Sequence, residues 1–447
     1  MARAHRASTT GTSAAGLRRI LPVALLLAAV QTAPCATHAQ TAAEESVRAR
    51  QGGPEFQPIG MELDRLMSVV GLVDKQEVRD RSTPYSSFVV FPKMDVTTGY
   101  ETNLFRDDSR KHDRIVVVSP QLTVRSDWSR HSLSLGLGSD VGRHDSNPSE
   151  DYEDLRATLA GQVDASDRVS LTASAQVARQ HQQRGELLDP GSAAGATTYV
   201  QSSFVLGANY SGDAFRGLTQ LSVTDADYDN EAGVDNSRLN RRLTTLKVRG
   251  AYEFLPGTAV FVEPSINDRS YEVKRTSNGR LQDSDGVQML VGLTWDVSGV
   301  TFAEFGVGYL RQDYDDPGFS TISGPSFSAR LIWNPTDLLT LEADGGRSIS
   351  ETQDQDASGA LVTRVGLRAD YALRDNIILS LSGRYSLEEI EGTDTENDRY
   401  VLNVEARYLL NEYFYLRALG GYDRTLSTDA GSSFSNLRAS LTLGAQI

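Results

Sequence analysis

Leu437-Arg438-Ala439-Ser440-Leu441-Thr442-Leu443-Gly444-Ala445-Gln446-Ile447 decides the fold class. Every odd position is apolar and every even one is polar or small, a period of two that makes a strand with one greasy and one wet face. Its length matches the roughly 9–11 residues a tilted strand needs to cross a bilayer's hydrocarbon. Such a strand has an edge to satisfy, and the simplest partner is the first strand of the same chain, closing a cylinder.

Working outward from this stretch, the same alternation repeats from Phe88 to the end. Pairs of alternating segments meet at short turns near 127–130, 165–167, 212–215, 255–257, 297–299, 334–337, 374–376 and 410–412. These carry the Gly, Pro, Asn, Asp or Ser that turns require. Long polar loops centred on 106–111, 145–151, 185–195, 227–235, 274–285, 314–320, 351–360, 391–396 and 426–433 separate the pairs. Short and long alternate without exception. A β-sandwich does not segregate its loops this way, and a propeller repeats every four strands rather than every two. The expected fold class is all-β: a transmembrane antiparallel up-and-down β-barrel of about 18 strands (16–18), with short periplasmic turns, long extracellular loops and both termini periplasmic.

The two faces have coherent chemistry. Leu133, Leu135 and Leu137, or Leu155, Ala157 and Leu159, read as lipid-facing. Trp128, Tyr210, Tyr252, Trp295, Trp333, Tyr371 and Tyr408 all fall where a segment enters a short turn, the height of an interfacial girdle. Out of phase with the lipid face lie Arg125, Arg156, Lys247, Arg249, Arg330, Arg364, Arg368, Arg384, Arg407, Arg417 and Arg438, with Glu263, Glu342, Asp344 and Glu405. A charge on the lipid face costs about 2–4 kcal/mol near the midplane, so parity assigns these residues to the lumen. Basic and acidic groups on opposing walls of a water-filled bore would set a transverse field that orients solutes. An excess of Arg, able to grip carboxylates bidentately, would favour anionic or hydroxyl-rich ones. The competing reading is that these charges pair off and merely solvate the wall.

The N-terminus has a different composition. Arg18 and Arg19 precede the apolar run 20–30, with a plausible cleavage site after Ala39, so residues 1–39 read as a secretory signal peptide. The one cysteine, Cys35, lies within it, which leaves the mature chain without thiols. Removing Arg3, Arg6, Arg18 and Arg19 takes the formal net charge from −15 to −19. An acidic exported chain lacks the clustered cations of nucleic-acid binding, and that class is excluded. Residues 40–87 read as a periplasmic N-terminal segment, loosely ordered or docked at the lumen. Leu63, Leu66, Met67 and Val70 share one face of a possible short helix over 61–73. The barrel is expected over 88–447.

Catalytic signals are thin. The sequence contains no Gly-x-Ser-x-Gly, His-Glu-x-x-His or phosphate-binding Gly loop, and His112, His131, His144 and His181 read as ordinary surface histidines. Asp225-Ala226-Asp227-Tyr228-Asp229-Asn230 opens like a calcium loop, but with Asn230 where the turn wants Gly and Asn236 where a bidentate Glu belongs. No enzyme activity, cofactor or metal is expected. The expected partners are outer-membrane lipid and lipopolysaccharide, and the barrel-assembly machinery.

Several short motifs belong together. Arg48-Ala49-Arg50 and Pro54-Glu55-Phe56-Gln57-Pro58-Ile59-Gly60 precede Phe91-Pro92, Gly99-Tyr100-Glu101-Thr102-Asn103-Leu104-Phe105, Val118-Ser119-Pro120 and Ser126-Asp127-Trp128-Ser129-Arg130-His131. With Asp113, Ile115 and Tyr152-Glu153-Asp154, this set resembles the outer-membrane β-barrel porins found with exopolysaccharide synthesis and export systems. The likeness covers residues 48–184; beyond them only the barrel pattern matches. The chain departs from that family in the two dozen or so residues between Gly60 and the first strand, and in ending on Ile447 rather than Phe. The resemblance implies an outer-membrane location, a role in polysaccharide export beside other export components, and no catalytic residues. A general or anion-selective porin, and a plugged structural or adhesion barrel, are the alternatives.

Overall fold

The structure, a computed structural model, describes residues 87–189, 195–231, 234–274, 279–296, 300–354, 356–429 and 431–446. The expected leader, residues 40–86 with their short helix, and Ile447 lie outside the described residues.

Eighteen strands follow one another: β1 (Phe88–Glu101), β2 (Asp113–Ser126), β3 (Ser132–His144), β4 (Tyr152–Ser166), β5 (Val169–His181) and β6 (Thr198–Ser211). Next are β7 (Phe215–Tyr228), β8 (Arg241–Leu255), β9 (Thr258–Tyr271), β10 (Ser284–Asp296), β11 (Thr301–Tyr314) and β12 (Ile322–Thr336). The last are β13 (Leu339–Ser350), β14 (Gly359–Arg374), β15 (Ile377–Glu391), β16 (Glu396–Leu409), β17 (Phe414–Ser427) and β18 (Phe434–Gln446). Each pairs antiparallel with the next, and β1 pairs with β18 from Lys93 opposite Gln446 to Glu101 opposite Arg438. The closing stretch thus does meet the first strand, and the fold is a closed 18-stranded antiparallel barrel.

Period-two alternation decides which face points where. In β18, Leu441 and Leu443 are 51% and 50% exposed on the outside while Thr442 between them is 1% exposed on the inside. The apolar surface is therefore outside the wall, the inverse of a water-soluble sandwich, as hydrocarbon surroundings require. At the seam Thr97 and Thr442 share a hydroxyl hydrogen bond of 2.8 Å. The Tyr415 hydroxyl donates to Asp95 at 2.5 Å. Asn436 accepts from the Asn103 amide at 3.0 Å and donates to Glu101 at 3.0 Å. These inward groups lock the register of the two chain ends.

All short turns gather at one rim and all long loops at the other. Gly257 shows why the short turns need their residues. It has φ +73°, and a Cβ there would fall 2.6 Å from the Asp296 carbonyl of the adjacent turn. Pro148–Glu150 and Ser237–Leu239 form single 3-10 turns within long loops.

Between β12 and β13 the ladder stops early. Regular pairing runs from Trp333 opposite Leu341 to Ser328 opposite Gly346. Above it, residues 322–327 pair only with β11, and residues 347–350 only with β14. The Ser326 hydroxyl bonds the Arg347 carbonyl at 3.3 Å where a ladder bond would have followed. Past Gly345 and Gly346 the β13–β14 hairpin leans into the barrel. Its Ile349 and Leu361 pack on Leu310 and Ile322 of the inner wall.

Candidate functional site

The lumen wall is built by strand parity, and its charges are neighbours rather than opponents. Arg249 gives Glu263 a hydrogen bond of 2.5 Å, grips Glu304 bidentately at 2.9 and 3.0 Å, and lies 4.2 Å above the Phe261 ring. Lys247 adds a 3.6 Å ion pair to Glu263. Arg330 stands in register between Glu304 and Asp344, and Glu342 stands opposite Arg368, which bonds Asp370 at 2.6 Å. Arg407 pairs with Glu405 at 3.2 Å, and Arg438 with Asp423 at 2.9 Å.

The like-charged neighbours Arg407 and Arg417 face each other across β16 and β17. The Tyr415 ring lies 5.5 Å from Arg407, and Arg417 donates to Thr442 at 3.3 Å. Arg125 covers Phe91 at 5.5 Å. Arg156 sits in register between Gly138 and Ala178, Arg384 between Gly366 and Val401, and Arg364, exposed, between Gly346 and Ser386.

The expectation of basic and acidic groups on opposing walls is therefore corrected. Opposite charges about 5 Å apart across one ladder attract far more strongly than charges on opposite sides of a bore. A different asymmetry is present. Apart from Arg156 on β4, the middle inward positions of β3 to β7 are uncharged and rich in hydroxyls and amides, among them Ser134, Thr158, Thr172, Gln176, Ser203 and Thr224, while most of the lumen charges lie on β8 to β18 and β1.

On the outer face Trp128, Tyr210, Tyr252, Trp295, Trp333, Tyr371 and Tyr408 lie near the short-turn rim, each between 40% and 49% exposed. A second outward row, Tyr100, Tyr309, Tyr400 and Tyr422, stands nearer the long-loop rim. Sequence reading missed it because it looked only at the turns.

It also missed the loops, which shape the bore more than any wall residue. Residues 182–189 leave β5 and cross the mouth, and residues 195–197 lead back into β6. Arg184, buried, binds both carboxylate oxygens of Glu150 at 3.0 and 2.7 Å, Asp189 at 3.2 Å and the Gly195 carbonyl at 2.9 Å. Arg399, an inward residue of β16 far round the barrel, donates to the Gly185 carbonyl at 2.6 Å. Gly185 has φ +74°, and a Cβ there would sit 2.9 Å from Phe434, so only glycine fits this close approach.

From the other side residues 351–354 and 356–358 come in on the β13–β14 hairpin. Glu351 accepts from Arg269 at 2.7 Å and from the Tyr271 hydroxyl, both on the inner face of β9. The Ser358 carbonyl accepts from Gln282 at 2.6 Å, and its hydroxyl from the Ser320 amide at 2.7 Å. The two loops meet where the Gln353 amide donates to the Leu187 carbonyl at 2.8 Å. Leu187 packs on the cluster of Ala357, Ala360, Val362 and Ile390, and Leu188 on that of Ala226, Tyr228 and Leu239. Loops that bind inward residues on far strands must cross the lumen, so the long-loop mouth is bridged in this state.

Glu186 lies inside that bridge, hydrogen-bonded by Gln182 at 2.7 Å. Burial pushes its carboxyl above the ordinary range, with Asp189 adding to the rise, against the pull of Arg399 and Arg106. A raised value means that the docked loop gains fully below the ordinary glutamate value and loses that gain as pH rises through the docked one. Loop 182–197 should be most protected from protease in mild acid and less so at neutral pH, and Glu186→Gln should flatten that slope. A slope of opposite sign, or one kept by the Gln variant, would contradict this.

Two histidines differ from the surface reading. His181 bonds Asp154 at 2.9 Å and stacks on Tyr152 at 3.9 Å, and His144 lies 3.7 Å from Asp151. Their side chains are 12% and 8% exposed, held against carboxylates rather than free in water. Of the calcium-like stretch, Asp225 pairs with Arg242 at 2.7 Å and Asp229 accepts from Thr198 at 2.6 Å. Among the described residues no cluster of three or more metal-ligating side chains occurs.

With a closed barrel, an apolar exterior and a polar interior established, the match to known families becomes decisive. Residues 83–447 match the family described as "Putative beta-barrel porin 2". The chain belongs to that family. It is accordingly an outer-membrane β-barrel of porin type. No curated protein matches it.

Among solved structures it is similar to Pseudomonas aeruginosa OccK2 (OpdF) at 11% identity and TM-score 0.45, covering 81% of this chain and 100% of that one. It is similar to a mutant of the ferric enterobactin receptor PfeA of the same organism at 7% identity and TM-score 0.43, covering 80% of each chain. A third is the siderophore receptor PirA of Acinetobacter baumannii, at 9% identity and TM-score 0.41, again covering 80% of each. Likenesses this distant carry no functional inference.

Proposed function

We propose that this porin-type barrel is a gated pore for polar, hydroxyl-rich and anionic chains, and that its solute is an exopolysaccharide leaving the cell. Its long-loop rim would then face outward and its termini the periplasm, after removal of a signal peptide. The observation that carries the reading is the inner wall: an arc of hydroxyls and amides on β3 to β7 beside a charged arc rich in arginine. Hydroxyls and amides exchange hydrogen bonds with sugar hydroxyls at little net cost, and guanidinium groups match carboxylates bidentately. The motifs of residues 48–184 support the export setting. Lipopolysaccharide and the barrel-assembly machinery are its proposed partners in the membrane, and no catalytic role is proposed.

Planar-bilayer recording tests this. Channels should appear that acidic oligosaccharides of uronate type interrupt at lower concentration than neutral oligosaccharides of equal length. Equal block by both would remove the polysaccharide reading and leave a general porin. The bridging loops favour a second reading, a plugged barrel that binds partners with its acidic loops. Silence from folded protein, even after the loops are cut, would establish that one.

A further inference from the structure

We propose that the tip of the β13–β14 hairpin is a hinged lid with two registers against β12. The tucked register seen here bridges the mouth. An upright one would complete the barrel wall and clear the bore. The consequence for flow rests on the pore reading above, but the existence of two registers does not.

The sequence suits both positions. Outward parity on β13 and β14 carries Leu341, Ala343, Leu367 and Val365, then Arg347 opposite Thr363, and then Ile349 opposite Leu361. Arg347 has its carboxylate partner, Glu389 at 2.6 Å, on the same face and next to the loop rim. Continued past Ser328 opposite Gly346, the regular register would set Pro325 opposite Ile349 and Gly324 opposite Ser350. Ile349 and Leu361 would then join Phe327 and Val365 in the apolar belt. In the tucked register the same two side chains find another apolar surface, Leu310 and Ile322 on the inner wall. One pair of residues is thus buried from water either way, which is what lets two packings of one sequence lie close in free energy.

The edge of β12 points the same way. Residues 322–327 present backbone groups that no strand of the wall takes up on the β13 side in the tucked register. Such an edge is not tolerated against hydrocarbon and acts as a template for a strand. The nearest strand of correct parity is the one that left it. Pro325, lacking an N–H, is an edge residue that weakens the upright ladder without forbidding it. Gly345 and Gly346 sit at the point of departure, as small hinge residues do. The latch consists of polar contacts that water can replace: Glu351 on Arg269 and Tyr271, Ser358 with Gln282 and Ser320, and Gln353 on Leu187.

Two cysteine pairs in a Cys35→Ser background test the lid. Ser320→Cys with Ser358→Cys fixes the tucked register, and Gly324→Cys with Ser350→Cys joins residues that face each other only in the upright one. Both pairs should oxidise in folded protein. Oxidation of the first should cut conductance about tenfold and that of the second should hold the channel open, with reductant reversing each. The proposal is overturned if the second pair stays reduced while the first oxidises completely, or if the reduced protein forms channels whose conductance neither oxidation changes. If both pairs oxidise but no form conducts, the lid stands and the pore reading falls. Should the second variant not fold, spin labels at Asp315 and Asp356 replace it: two distance populations support the lid, and a single one rejects it.

Discussion

Arg184→Met should free loop 182–197 from the mouth of the barrel while leaving the barrel itself folded. The guanidinium is 6% exposed and meets Glu150, equally buried, together with Asp189. Removing it takes the cation from two buried carboxylates, Glu150 of the β3–β4 loop and Asp189, which keeps the Gly185 amide. Breaking a buried pair from one side costs about 3–5 kcal/mol. Against this cost stand the Arg399 and Gln353 hydrogen bonds and the packing of Leu187 and Leu188, together of similar size, so the docked loop keeps little or no margin. Undocking therefore competes with tolerating the charges. The measurement is limited proteolysis of the detergent-solubilised protein, which should cut within 182–197 much faster than in the parent, alongside single-channel recording, which should show a larger open fraction. Glu150→Gln with Asp189→Asn, added to Arg184→Met, should restore most of the protection, since a neutral site no longer holds stranded charge. Proteolysis at the parent rate in the single variant would mean that apolar packing, not Arg184, holds the loop.

That loop was the least legible part of the chain, and the reason is physical. In a strand each residue's direction follows from its neighbour's, so Leu441 and Thr442 announce opposite faces without any knowledge of the rest of the molecule. The wall, its closure on β1 and the rim of short turns all follow from that local rule. A loop has no such rule. Gly185 meets Arg399 from 214 positions away, and nothing local to either residue specifies the meeting. One signal was available: Leu187 and Leu188 are adjacent apolar residues in a loop that was expected to face water. A loop that must bury two leucines needs surfaces to bury them on: Leu187 finds one at β14 and β15 across the bore, and Leu188 another on β7 beside it.

The lumen charges show an intermediate case. Parity put Arg249, Glu263, Arg330 and Asp344 on the inside, but parity alone does not say which of them touch. Register does, and register follows from turn lengths that the sequence marks only to within a residue or two. A slip of two would keep every charge inside yet change every partner. Arc-wise pairing was consequently out of reach even where the inward set was readable.

Arg249→Leu should be the most damaging single change in the wall. Three charged side chains, Arg249, Glu263 and Glu304, are 7%, 7% and 14% exposed. Their hydrogen bonds link β8, β9 and β11 across the intervening β10. The leucine leaves Glu263 with Lys247, at 3.6 Å and half in water, and takes from Glu304 its bidentate partner. The expected loss is about 3–5 kcal/mol in urea unfolding of the folded barrel in detergent. The sign of the next step separates charge from packing. If stranded carboxylates cause the loss, Glu263→Gln with Glu304→Gln added to Arg249→Leu should recover most of it, because a buried ion pair and a well-packed neutral replacement differ little. If instead the guanidinium matters mainly as a plate stacked 4.2 Å over Phe261, the glutamines should recover nothing, and Arg249→Lys should be nearly as harmful as leucine, since an ammonium neither stacks nor bridges two carboxylates with a planar fork. A triple variant as stable as the parent would show that the cluster specifies register among these strands rather than adding to the barrel's stability.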